Sequence, residues 1–204
     1  MNENLKAAKT RLIKEAIVKA AKKIIEEDGL ASLSIRNLAE QIGYSPAAIY
    51  QYYDSKAQIV SAVIRDGYHE IINSIQSENS NFQSAEEEIR HKLKIYIKNA
   101  LENKNYYRAV MMSEDKNVLQ FTKVLNKQTH SNQSAIQFLV NLIEKGQKQD
   151  EFLNNSAEIL AKSIWTATFG LIIRMIIENI DDQQRQNELI ENQLQLIFDG
   201  IRKK

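Results

Sequence analysis

The sequence predicts an all-α protein, and three observations carry that expectation. The 204 residues include only six glycines and one proline. No stretch sustains the apolar–polar alternation of period two that a half-buried strand shows. Apolar residues recur instead at i, i+3 and i+4, the spacing of one helix face, along most of the chain. The 27 Lys/Arg nearly balance the 26 Asp/Glu, so any contact with a polyanion must come from a local patch. The chain has no cysteine, which excludes disulfides and thiolate ligands or nucleophiles and fits a reducing compartment. A chain of this length can bury a sizeable core without such staples.

The first helix is expected from about Ala8 to Glu27, with Ile13, Ala16, Ile17, Ala20, Ile24 and Ile25 on its apolar face. Asp28-Gly29 ends it, the glycine suiting a backbone turn of positive φ. Ser34 is an N-cap for a second helix that places Ile35, Leu38, Ala39 and Ile42 on one face and stops at Gly43. "YSPAAIYQYY" predicts a short third helix with Ser45 at the N-cap and Pro46 at the first helical position, where a missing N–H costs nothing. Ser55 and Gln58 form a capping box for a fourth helix running towards Ile75. Polar "QSENSNFQS", Gln76 to Ser84, is an internal boundary. Beyond it come "AEEEIRHKLKIYIKNALENK", a short "NYYRAVMM", "NVLQFTKVLNK", "AIQFLVNLIEKGQ", a turn at "KQDEFLNNS", and two last helices at about Ala157–Glu178 and Gln186–Arg202.

Ser34 to Tyr53 has the layout of a helix-turn-helix. Ala39 is small where one helix passes the next, Gly43 falls at the turn, and Ile49 points back into the core. On a helix starting at Pro46, Ile49 and Tyr52 or Tyr53 face inward, while Ala47, Ala48, Tyr50 and Gln51 face outward near its N-terminus. That end of a recognition helix meets base edges. Two alanines allow close approach and methyl contacts, and a glutamine amide pairs with adenine. Tyrosine hydroxyls reach phosphates, as can Lys56, Ser34 and Arg36 at helix starts. Tyr53 can equally be half-buried packing. Lys6, Lys9, Arg11 and Lys14 crowd the first helix, although residues 1–60 hold nine Lys/Arg against seven Asp/Glu.

The stretch "IKEAIVKAAKKIIEEDGLASLSIRNLAEQIGYSPAAIYQYYDSKAQIVSAVI", Ile13 to Ile64, resembles the TetR-type transcriptional regulators. It shares with them a helix ending in "DG", then "SIRxLAxxIGYS", "AxIYxYY" and "SK" before an apolar helix; Tyr53 stands where that family more often has Phe. The resemblance implies an N-terminal three-helix DNA-binding domain, here 1–55 with its motif at about 34–53, and a larger helical ligand-binding and dimerisation domain, 56–204. It implies that the helix at Pro46 reads DNA, with contacts from Ser34, Arg36, Ser45, Pro46, Ala47, Ala48, Tyr50, Gln51, Tyr53 and Lys56.

Reading a palindromic operator takes two copies of the motif. The last two helices are the expected source of a homodimer, a four-helix interface in the family. Ile159 to Ile177 is apolar nearly all round, with small Ala167 and Gly170, and the final helix has a broad apolar face. Gly170, Ile173, Ile177, Leu194, Ile197, Phe198 and Ile201 are the candidates. Lys162 and Arg174 inside the first of these stretches favour a buried helix over a membrane span. "WTATFG" is similar to a Trp-to-Gly segment in one branch of the family, with Phe169 where that branch often has His. Tyr96, Tyr106, Tyr107, Met111, Met112, Phe121, Phe138 and Trp165 either line a cavity for an apolar or aromatic effector or form an ordinary core.

Catalysis is not expected. His69, His91 and His130 lack metal-ligand spacing, there is no Gly-rich phosphate loop, and no cofactor is implied. The three glutamates of "AEEE" sit in the first turn of a helix, where the dipole favours them. The first residues carry no apolar leader segment, so a cytoplasmic location is expected. The reading is a DNA-binding transcriptional regulator, a repressor released by an apolar small molecule. The alternatives are a helical hydrophobic-ligand binding protein with no DNA function and an architectural DNA-binding protein with no ligand.

Overall fold

The structure is a computed structural model and describes residues 3–77, 81–112, 114, 116 and 135–203. Its elements are helical: α1 (Glu3–Asp28), a 3-10 turn (Leu30–Ser32), α2 (Ile35–Gln41), α3 (Pro46–Ile49), α4 (Lys56–Ser77), α5 (Ala85–Glu102), α6 (Lys104–Met111), α7 (Ala135–Lys148), α8 (Ala157–Ile177) and α9 (Gln183–Ile201). Among the described residues the only β pairing is an isolated antiparallel bridge between Phe152 and Arg202. "NVLQFTKVLNK" and Phe121 lie outside the described residues.

The chain divides into two compact units. The first holds α1 to α3, α4 as far as His69, and α6; the second holds the rest of α4 with α5, α7, α8 and α9. In the first, α1 packs on α2 and α6, and α2 on α3. Ile17, Ile25, Leu38, Ile49, Ile59 and Val63 are sealed in its core. Tyr106 of α6 belongs to that core. Its hydroxyl donates to the carbonyl oxygens of Val63 and Ile64 at 3.0 and 3.1 Å. The ring lies in a notch left by Gly67, where a Cβ would stand 2.0 Å from the Tyr106 oxygen.

In the second unit α7 packs along α8, both lie against α5, and α9 closes on α8 and α5. Apolar residues at Ile89, Leu93, Tyr96 and Ile97 turn α5 inward. The segment after α7, expected as a turn, does more than reverse the chain. Asp150 takes a φ of 64°, and Phe152, 1% exposed, fits against Gly146 and faces Phe198 with ring centroids 6.0 Å apart. Leu153 N donates to Ile201 O, and Lys203 N to Glu151 O, both at 2.8 Å. The Glu151 carboxylate accepts from Ala85 N and Glu86 N at 3.1 and 3.2 Å, so it caps α5 from 66 residues away.

Glu86 accepts from Arg90 and, through both its oxygens, from Arg202. Partial burial opposes its ionisation, but those hydrogen bonds outweigh burial and hold its carboxyl below the usual range. Among the described residues, α8 is the one helix long and apolar enough to cross a membrane; its mean hydropathy there is 1.5 and 39% of that stretch is buried. The core helix of a soluble protein meets the same test.

Candidate nucleic-acid interface

Residues 34–53 form two short helices joined by a tight turn, and the chain's own chemistry builds each end. Ser34 Oγ accepts from Asn37 N at 3.1 Å and starts α2. Gly43 ends it at φ +69°, with its N–H to Glu40 O, and Tyr44 N returns to Ala39 O at 2.9 Å. Any side chain with a Cβ would be strained at that φ. Ser45 Oγ accepts from Ala48 N at 3.2 Å, with Pro46 at the first helical position. Regular helix then covers only Pro46–Ile49. The expected helix to Tyr53 continues as turns, with Tyr52 N and Tyr53 N both donating to Ile49 O. Ile49 is fully buried, and Tyr52 and Tyr53 both pack on the core.

The capping box of α4 also differs in detail. Ser55 Oγ accepts from Gln58 N, but Gln58 reaches back to Asp54, accepting from its N–H at 3.0 Å and donating to its carboxylate at 2.9 Å.

Ala47 and Gln51 are exposed, Ala48 is partly exposed, and Tyr50 is 52% exposed. Arg36 and Lys56 are exposed as well. Among the described residues nothing forms a hydrogen bond or ion pair with the side chains of Arg36, Tyr50, Gln51 or Lys56. Elsewhere on the surface basic side chains are commonly committed to a carboxylate one turn away: Arg11 to Glu15, Lys23 to Glu27, Lys98 to Glu102. The hydroxyls of Ser34 and Ser45 accept backbone N–H groups, which leaves each O–H proton to donate outward. Tyr53 is half-buried with Lys14 Nζ 5.3 Å from its ring centre. Burial pushes its phenol above the ordinary range, against an opposing pull from Arg65, so the hydroxyl keeps its proton. Tyr44, 40% exposed, adjoins this face and was not among the expected contacts. The signal was present: a tyrosine between a positive-φ glycine and an N-cap has no helix face on which to bury.

Residues 17–63 match the family model of bacterial regulatory proteins, tetR family. The N-terminal domain is a TetR-family domain. Over 91–95% of its length the chain shares its fold, at low identity, with three solved structures, one of them a TetR transcription regulator. A TetR transcription regulator from Haloarcula marismortui superposes with a TM-score of 0.74 at 21% identity, over 93% of this chain and 98% of that one. The fatty acid degradation regulator FadR from Bacillus halodurans gives 0.74 at 15%, over 91% and 94%. A putative transcriptional regulator from Saccharomonospora viridis, solved with choline, gives 0.68 at 18%, over 95% and 100%. No curated protein matches the sequence.

The second unit has a small apolar cavity. Its described lining is Ile89, Lys92, Leu93 and Tyr96 from α5, Phe138, Leu139 and Leu142 from α7, and Trp165 from α8. Its volume is about 20 Å³, on a scale where a single water takes about 10–15 Å³. Tyr96 stacks on Trp165 with centroids 4.7 Å apart. Of the expected effector residues, Tyr96, Phe138 and Trp165 therefore meet round one space. Tyr107 is buried in α6 of the first unit, Met111 packs on the first unit's core, and Met112 is half exposed. Among the dimer candidates, Gly170 and Ile177 are exposed and Ile173 and Ile197 partly so. Leu194, Phe198 and Ile201 are packed into the unit's own core and leave no surface for a second copy. Ile159 and Leu196, 65% and 73% exposed, were not among the candidates.

Proposed function

We propose that this protein is a homodimeric, cytoplasmic transcriptional repressor whose α3 region enters the major groove of a palindromic operator, and that a small apolar or aromatic molecule in the second unit releases it. The observation that carries the DNA reading is the uncommitted set on one face. Arg36, Tyr50, Gln51 and Lys56 stand exposed around a helix start whose own backbone is already capped. Ala47, Ala48 and Gln51 read bases, with Pro46 fixing the helix start beside them. Ser34, Arg36, Ser45, Tyr50, Tyr53 and Lys56 hold phosphates.

Dimerisation covers the apolar surface that α8 and α9 leave open at Ile159, Gly170, Ile173, Ile177, Leu196 and Ile197. α4 contributes residues to both units, so it is the element through which an effector acts on the reading head. Release needs only a difference in affinity between two arrangements, typically about 1–3 kcal/mol of coupling.

The test is binding of the full-length protein to the DNA upstream of its own coding region, against scrambled DNA, at two salt concentrations. Tyr50→Ala is run alongside. Specific binding that weakens steeply with salt is expected. The variant should lose about tenfold in affinity, the worth of one hydrogen bond to a charged group, with an unchanged melting temperature. No preference over scrambled DNA, followed by failure of a genome-wide site selection, sinks the reading in favour of a ligand-binding protein without DNA function.

A further inference from the structure

We infer that the operator base pairs met by the α3 region are A·T pairs, with Gln51 taking an adenine edge and the methyls of Ala47 and Ala48 taking thymine methyls. The inference rests on the regulator reading and adds the class of sequence that the reading head selects. In the major groove guanine offers two acceptors, which arginine and lysine match, and cytosine offers a donor, which a carboxylate matches. Residues 45–53 contain no Arg, Lys, Asp or Glu. Their one amide is that of Gln51, and it is exposed. A glutamine amide presents an acceptor and a donor side by side, the complement of adenine N6 and N7. Set in the same way against guanine, its carbonyl oxygen would face O6, acceptor against acceptor.

The alanines point the same way. Ala47 is exposed and Ala48 partly so, at the start of α3. Side chains this small let the helix come close to the base edges, and thymine is the base whose major-groove edge carries a methyl. The other polar side chains of the stretch, Ser45, Tyr50, Tyr52 and Tyr53, end in hydroxyls. A hydroxyl is donor and acceptor at once and does not choose between the pairs. The motif's exposed cations, Arg36 and Lys56, stand on α2 and α4, so a guanine contact would come from outside α3.

The full-length protein is used to select from a randomised duplex pool, and binding to the selected duplex is followed by fluorescence anisotropy at one salt concentration. Gln51→Ala should relax the selection at a single A·T pair of each half-site. At that pair 7-deazaadenine, which lacks the N7 acceptor, should weaken wild-type binding about tenfold. Deoxyuridine for thymine at the adjoining pairs removes only the methyl and should cost about fourfold. The melting temperature checks that the variant folds; the base analogues need no variant, and they decide alone if it does not. A motif in which Gln51→Ala relaxes a G·C pair or no pair, or in which either analogue leaves the affinity unchanged, overturns the assignment and leaves the regulator reading standing. Selection of no motif at all overturns both.

Discussion

Between Ser32 and Gln58, among the described residues, each side-chain hydrogen bond spans five residues or fewer: Ser32 to Asp28, Asn37 to Ser34 and Ser32, Ala48 to Ser45, Gln58 with Asp54 and Ser55. In the second unit the corresponding joints are long. Lys145 meets Glu88 across 57 residues, Glu151 caps Ala85 across 66, and Arg202 reaches Glu86 across 116. The difference separates two ways of making a site. The reading head completes its backbone with small local caps, so its long polar side chains remain for a partner. The bundle uses its long charged side chains to hold its own helices together, and has a small cavity whose described lining is apolar except for one lysine.

This contrast can be broken at a long-range side-chain contact of the first unit's core, that of Tyr106 with Val63 and Ile64. Gly67→Ala would push a methyl into the space of the Tyr106 hydroxyl and dislodge the ring from Val63 and Ile64. We expect a loss of about 2–3 kcal/mol from overpacking and broken hydrogen bonds, read by urea denaturation; a change no larger than that of a surface substitution would show the notch to be slack. Ser45→Ala should cost about 1 kcal/mol, since nothing else described caps α3. Ser84→Ala, at the start of α5, should cost less, because Glu151 still accepts from that helix's first N–H groups. Equal losses at the two serines would erase the distinction between a head with one cap and a bundle with a reserve.

The smallest effect is acidic. Glu86 has a lowered pKa in the folded protein, so its contribution to stability is present above the ordinary carboxylate range and fades as pH falls through the lowered value. Glu86→Gln should flatten the stability profile across that acid window and leave the profile above it parallel to wild type. A thermal melt series at several pH values measures this.

What the sequence made legible follows the same division. Ser34, Gly43, Ser45 and the Ser55–Gln58 pair could be read because a cap and its N–H lie three residues apart. The outward set at Ala47, Ala48, Tyr50 and Gln51 followed from where Pro46 starts its helix. Partners 40 to 116 residues away left no such trace. Phe152 read as part of a turn, although Gly146 and Phe198 make it core. Composition grouped Tyr107 and Met111 with Tyr96 and Trp165, but the chain path assigns the first two to the other unit. The apolar face of α9 was visible, yet only packing against α5 and α8 distinguishes Leu194, Phe198 and Ile201, turned inward, from Leu196, turned out.

The notch at Gly67 has an evolutionary corollary. Positions 67 and 106 share one volume, so neither can drift alone. A lineage that acquires alanine or serine at 67 should carry a shorter residue at 106, and one that keeps tyrosine at 106 should keep glycine at 67. The two sites, 39 positions apart along the chain, form one inherited character.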